Sequence, residues 1–184
     1  MTANIEHELK YTIDLPSFYA WAQPYITRGL ITTRIIRQWY LPDKVANNGV
    51  VRIRETLRPN GEAELTQLTI KVPTGDPAIR DEFNFNATSD FNIKQFVDVL
   101  DIGKNCVVKD RWDITAAMYG RGRHPGRGVE VIVDFFSDNG TTTGILEIEN
   151  PPTDWTPPSF VAQNVTNDLS YTNYARAVDP NHTL

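Results

Sequence analysis

Along most of the chain the apolar positions recur with period two. The stretch IEHELKYTI sets Ile5, His7, Leu9 and Tyr11 against Glu6, Glu8 and Lys10, because successive side chains of a strand point to opposite faces. The same alternation, rich in β-branched and aromatic residues, predicts strands in ITTRIIRQWYLP, GVVRIRETL, ELTQLTIKV, AIRDEFNFNA, NCVVKDRWDI, GVEVIVDFFS and TGILEIEN. Turn signals such as NNG, RPNGE, PTGDP and DNGTTT separate them. A helical period appears in SDFNIKQFVDVLD, with Ser89 or Asp90 as cap and Phe91, Ile93, Phe96, Val97 and Leu100 as the apolar stripe. In PSFYAWAQPYITRG, Pro16 and Pro24 predict at most a short helix before Gly29. Beyond the proline-rich PPTDWTPP, the segment VTNDLSYTNYARAV reads as a short helix or an extended tail.

Length and composition narrow the setting. The 184 residues are expected to form one domain, 1–184, large enough for a hydrophobic core. A net charge of -5 argues against a surface built to coat nucleic acid, so any polyanion must meet a local concentration of positive charge. The single cysteine, Cys106, excludes an internal disulfide and has no companion for a thiolate site. The start lacks a basic segment followed by an apolar run, and no stretch approaches the ~20 apolar residues of a membrane span, so a cytoplasmic chain without membrane contact is expected.

Sorting each strand by face changes the picture. Arg52, Arg54 and Thr56 oppose Val51 and Ile53; Gln67, Thr69 and Lys71 oppose Leu68, Ile70 and Val72. Arg80, Glu82, Asn84 and Asn86 oppose Phe83 and Phe85, Lys109 and Arg111 oppose Val108 and Trp112, and Glu147 and Glu149 oppose Leu146 and Ile148. A solvated sheet face accounts for any single pair. It does not account for repeated pairs of like character in strand after strand. Eight sequential antiparallel strands can instead close on themselves, with the charged face inside and the apolar face outside under the few helices. The expected fold is therefore mainly β, of α+β type: a closed eight-stranded antiparallel barrel with flanking helices.

A charged interior must hold water, metal ions or a multiply charged ligand, since dry unpaired charge costs many kcal/mol. The inward basic set, Lys10, Arg52, Arg54, Lys71, Arg80, Lys109 and Arg111, suits a chain of phosphates gripped by guanidinium forks. The acidic set, Glu6, Glu8, Glu82, Glu147 and Glu149 with Asp134 a further candidate, would repel that ligand unless a hard divalent cation such as Mg2+ or Mn2+ bridged the two. Carboxylate, metal and phosphate together imply phosphoryl transfer.

The ordered elements EHELK, RQWYL, VRIRE, TIK, RDEFN, KDRW, VDFF and EIE, followed by NVTNDLSYTNYARA, resemble the CYTH or triphosphate tunnel metalloenzyme family, and its short bacterial inorganic triphosphatases in particular. The resemblance covers nearly the whole chain and implies the same tunnel-forming barrel. It implies that Glu6, Glu8, Glu147 and Glu149 hold the divalent metal, with Glu82 or Asp134 supporting a second ion. It further implies that Arg52, Arg54, Lys71, Lys109 and Arg111 grip a triphosphate with help from Arg80, and that Lys10 contacts phosphate or the attacking water. Tyr40 is expected to pair with Lys10, and Lys10, Glu8, Glu82 and Tyr40 form the expected catalytic group. One position departs from the family pattern RxExE: the second glutamate is Asn84, which cannot serve as a carboxylate base.

The expected reaction is metal-dependent hydrolysis by in-line attack of water, on tripolyphosphate first and nucleoside triphosphates next. A class IV type adenylate cyclase, a thiamine triphosphatase, an RNA 5'-triphosphatase and a non-catalytic polyphosphate- or nucleotide-binding protein are the alternatives. The expected partner is a small-molecule triphosphate, with nucleic acid entering only as an RNA 5'-triphosphate end, and the chain acting as monomer or homodimer. The glycine-rich basic loop containing Arg121, Arg123, His124 and Arg127 reads as a hairpin connector.

Overall fold

Each stretch with period two forms a strand. A computed structural model describes residues 4–41, 49–73, 79–88, 91–120, 128–138 and 141–178, and for 4–6, 73, 79–80 and 138 it describes the backbone alone. In chain order the elements are β1 (Asn4–Ile13), α1 (Leu15–Thr27), β2 (Thr32–Tyr40), β3 (Val50–Leu57), β4 (Ala63–Pro73), β5 (Ile79–Asn86) and α2 (Ile93–Val99). They continue as β6 (Cys106–Asp113), α3 (Thr115–Tyr119), β7 (Glu130–Asp138), β8 (Thr141–Glu149), β9 (Val161–Asn164), a 3-10 turn (Leu169–Tyr171) and α4 (Asn173–Val178). The basic loop 121–127, Ser89 and Asp90 lie outside the described residues. Asn92 caps α2 instead, its side-chain oxygen accepting the Gln95 amide at 3.0 Å.

The strands form one antiparallel sheet in the order β5-β4-β3-β2-β6-β7-β8-β1-β9. Strand β1 also pairs with β5 at the start of that order, from Asn4↔Glu82 to His7↔Ile79. The sheet thus has nine strands where eight are expected. Strand β9 is the addition. Its four residues, VAQN, follow the proline-rich connector and are too few to show a period; they become a strand because Tyr11 and Thr12 offer a free ladder, paired as Tyr11↔Asn164 and Thr12↔Gln163. The next residues hold the middle of β1. The Val165 amide donates to the Lys10 carbonyl at 2.9 Å, and the Lys10 amide donates to Thr166 Oγ1 at 3.0 Å.

Helix α1 runs for 13 residues, longer than its two prolines suggest. Pro16 occupies the first turn, where its missing N–H is no loss, and Asp14 caps by accepting the Ser17 amide at 2.9 Å. Pro24 interrupts the ladder at a cost of roughly 3 kcal/mol. Burial offsets it: Phe18 and Ala22 are fully enclosed, and a buried Phe alone is worth about 2–3 kcal/mol. Phe18 packs against Trp112, Phe135 and Phe160 at centroid distances of 5.8, 5.5 and 5.2 Å.

The main apolar core therefore lies on one side of the sheet. Tyr11 and Ile13 of β1, Val131, Val133 and Phe135 of β7, and Leu146 and Ile148 of β8 meet Phe18 and Ala22 of α1 and Ala117 of α3. Gly144 permits this approach, because a Cβ there would lie 2.6 Å from Ile13 and 3.0 Å from Leu15. The alternate residues of the same strands point to the other face, where the charges are. On that face α4 packs against β2 and β6, and its Ala177 and Tyr174 join Tyr40, Val107, Phe136 and Ile145 in a second, smaller apolar cluster. No described helix is long and apolar enough to cross a membrane.

Candidate active site

One cavity on the polar face is lined by Glu8, Lys10, Tyr40, Val50, Arg52, Arg54, Lys71, Arg111, Glu147, Glu149 and three residues of the tail, Thr172, Asn173 and Tyr174. Its wall carries five cationic side chains and three carboxylates, so its net charge suits an anion. The structure brings together most of the residues singled out from the sequence, each carried there by strand alternation.

On the β1–β8–β7–β6 side, cations and acids are paired. The Lys10 ammonium donates to Glu147 at 2.5 Å and to Glu8 at 2.9 Å. Arg111 donates from Nε and Nη2 to the two oxygens of Asp134 at 2.8 and 2.7 Å, and from Nη2 to Glu147 at 3.2 Å. Lys109 also donates to Asp134 and, at 3.3 Å, to Asn173 of α4. Lys109 and Asp134 are buried to within 1% and sit behind the lining.

The pKa directions follow from this packing. Burial alone would lower Lys10, but the charges of Glu147 and Glu8 outweigh it and raise it above the ordinary lysine value. Burial would raise Glu147, yet Lys10, Lys109 and Arg111 hold it well below the usual carboxylate range. Burial and then the like charge of Arg111 pull Lys109 down to about 7, against the attraction of Asp134.

On the β2–β3–β4–β5 side the balance differs. Arg52 is buried and Arg54 partly so, and among the described residues neither forms an ion pair with a carboxylate. Burial, with the like charges of Arg52 and Arg111, presses Arg54 down to about 9. Beyond them lies a ladder made mostly of amides. Thr69 Oγ1 donates to Asn84 Oδ1 at 2.7 Å, Asn84 Nδ2 donates to Glu82 at 2.7 Å, and Gln67 Nε2 donates to Asn86 Oδ1 at 3.1 Å. Glu82 also pairs with Lys71 at 2.9 Å.

One expectation is corrected, and two candidate metal ligands meet cations of the chain itself. Tyr40 does not pair with Lys10: two carboxylates hold that ammonium, and the buried Tyr40 hydroxyl bonds with the Gln38 amide at 3.3 Å. Both oxygens of Asp134, a candidate metal ligand, accept from Arg111 and one also accepts from Lys109. Glu147 is likewise engaged, by Lys10 and Arg111. Glu6 and Arg80 face each other in register across β1 and β5, but their side chains lie outside the described residues.

Glu8 and Glu149 are register partners on β1 and β8. Burial and the like charges of Glu130 and Glu8 raise the pKa of Glu149, and oxygen donors that repel one another suit a hard cation such as Mg2+ or Mn2+. Among the described residues, however, no three His, Cys, Asp or Glu side chains form an ion-holding group. The donors fit the metal in kind, with Glu8 and Glu149 the pair in place.

Gln38 and Glu130 are site residues that the sequence reading missed. Each was legible by alternation, Gln38 two before Tyr40 and Glu130 four before Asp134. The lining from Thr172, Asn173 and Tyr174 had no such signal, since it depends on where the tail folds back.

No protein-family model matches the chain, and no curated protein sequence does. Solved structures do match. A Bacillus halodurans protein named as a candidate adenylate cyclase is 16% identical, covering 83% of this chain and 83% of its own, with a TM-score of 0.50. The PH1819 protein from Pyrococcus horikoshii OT3 is 20% identical, covering 84% and 80%, with a TM-score of 0.50. The Schizosaccharomyces pombe Mediator head module is similar at 12% identity, 84% and 86% coverage and a TM-score of 0.53. At these identities the likeness shows a shared fold alone. Names that run from a cyclase to a Mediator module leave function to the site.

Proposed function

We propose that the chain is a divalent-metal-dependent triphosphatase of the triphosphate tunnel type, acting on inorganic tripolyphosphate first and nucleoside triphosphates next. The observation that carries this reading is the pair Arg52 and Arg54: a buried and a partly buried guanidinium without a carboxylate partner among the described residues, in a cavity lined also by Lys71, Arg111 and Lys10. Charge so placed gains most when an anion meets it. In this reading the β1–β5 pairing is the seam of a barrel of eight strands, with β9 outside the ring.

Arg52 and Arg54 hold phosphoryl oxygens through planar forks, and Lys71 and Arg111 neutralise the rest of the phosphate chain. Glu8 and Glu149, with Glu6, would hold the divalent ion. Such an ion, when bound, screens phosphoryl oxygens and lowers the pKa of water. Lys10, fixed between Glu8 and Glu147, faces the ligand as a positioned cation, and Glu8, or Glu82 in its pair with Lys71, would accept the proton of the attacking water. Asn84, tied to Thr69 and Glu82, supplies no carboxylate, which favours one tightly held ion over two.

A non-catalytic polyphosphate- or nucleotide-binding protein is the second reading, favoured by the engagement of Glu147 and Asp134 with cations. The test is to offer tripolyphosphate, ATP, thiamine triphosphate and a 5'-triphosphorylated RNA with Mg2+ or Mn2+, measuring phosphate, pyrophosphate and cyclic AMP. Phosphate released from tripolyphosphate supports the proposal. Cyclic AMP with pyrophosphate replaces it with a cyclase, and tight binding without turnover replaces it with the binding protein.

A further inference from the structure

Gln38 is fully buried, with no exposed surface, and stands directly opposite Arg54 in the β2–β3 ladder. With its amide oxygen turned toward Arg54, it accepts Nε at 2.8 Å and Nη2 at 3.1 Å, while its nitrogen donates to the Tyr40 hydroxyl at 3.3 Å. The opposite orientation would set the amide NH2 against guanidinium donors. The grip on Arg54 therefore uses the same two nitrogens that Asp134 grips on Arg111. Here one oxygen accepts both bonds where Asp134 uses two, and the charge is absent.

We infer that Gln38 is a positioning residue that aims the Arg54 guanidinium into the cavity while leaving its positive charge available to the phosphate ligand. A glutamate of the same length would make an equally good fork and cancel the charge. An aliphatic side chain would preserve the charge but leave Arg54 Nε and Nη2 without an acceptor, free to rotate. An amide alone fixes the direction without neutralising the group. Buried as it is, Gln38 acts only through Arg54 and Tyr40. The inference rests on the anion-site reading above.

The test is calorimetric titration of tripolyphosphate into the full chain, with thermal unfolding measured in parallel. Gln38→Glu is expected to unfold at an equal or higher temperature than wild type, yet to bind tripolyphosphate at least about tenfold more weakly, the scale of one charge-assisted hydrogen bond. The deficit is expected to shrink as pH falls and the new carboxyl protonates, because a neutral glutamic acid imitates the amide. A merely structural role for Gln38 gives neither the opposite signs nor the pH trend. Gln38→Leu, which keeps the volume and removes the acceptor, is expected to weaken binding by a similar factor and answers the question should Gln38→Glu not fold. Wild-type binding with a folded variant of unchanged affinity sinks the inference alone. A wild-type chain that binds no tripolyphosphate sinks the anion-site reading and the inference with it.

Discussion

Arg111 and Arg54 are each held at Nε and Nη2 by a planar acceptor from a neighbouring strand, Asp134 for the first and Gln38 for the second. On the Asp134 side Lys109, Lys10, Glu147 and Glu8 complete a network in which opposite charges meet directly. On the Gln38 side Lys71 meets Glu82, but Arg54 itself is held by an amide, and the two guanidiniums keep their charge. The comparison separates two uses of a buried cation. One wall is braced by its own salt bridges, while the other is left electrostatically incomplete, and the incomplete wall is where an anion gains most.

The sharpest way to break this contrast is Asp134→Asn. It leaves buried Lys109 without its carboxylate partner and Arg111 with Glu147 alone, and a loss of about 3–5 kcal/mol of folding stability is expected in urea denaturation. Tripolyphosphate, which can replace the missing charge, is expected to recover part of that loss. Arg54→Met should show the reverse emphasis: a stability loss of only about 1 kcal/mol, from the Gln38 oxygen left without donors, and tripolyphosphate affinity reduced about 100-fold, or roughly 2–3 kcal/mol, by calorimetry. A comparable loss of stability in both variants would mean that the two walls do not differ as described.

Smaller changes sharpen the comparison. Thr69→Val removes the donor to Asn84 Oδ1 from a fully buried position and is expected to cost about 1 kcal/mol, read from the urea midpoint. A pH trend from Lys109 tests the braced wall without a change of ligand. Its pKa is about 7 in the folded chain against 10.5 for an ordinary lysine, so between those values the unfolded chain holds the extra proton. Ligand-free stability is therefore expected to rise with pH through that window, with the full penalty present below it. Lys109→Met should flatten the slope, and an unchanged slope would assign it to another group.

Much of this was legible in the chain. The alternation in EHELK, VRIRE, KDRW and EIE put Glu8, Lys10, Arg52, Arg54, Lys109, Arg111, Glu147 and Glu149 on polar faces, and they lie on the cavity side of the sheet. Strand β9 was not legible, because four residues are too short for a period and their conformation is set by the ladder of β1. The full length of α1 was not legible either: two prolines argue locally against it, and only the enclosure of Phe18 and Ala22 against the sheet offsets them. The partner of Tyr40 was misjudged because three groups compete for Lys10, and two of them are charged.

By itself the sequence determined which side chains share a face, because strand alternation is a local property of the backbone with a period of two. The tertiary structure alone decided how the charges on that face are distributed. Lys10 meets Glu147 from a strand 137 positions away, Arg111 meets Asp134, and Arg54 meets an amide. Ion pairing falls off over a few ångströms, so whether a buried cation is neutralised or left for a ligand depends on register across the sheet. No count of charges along the chain contains that register.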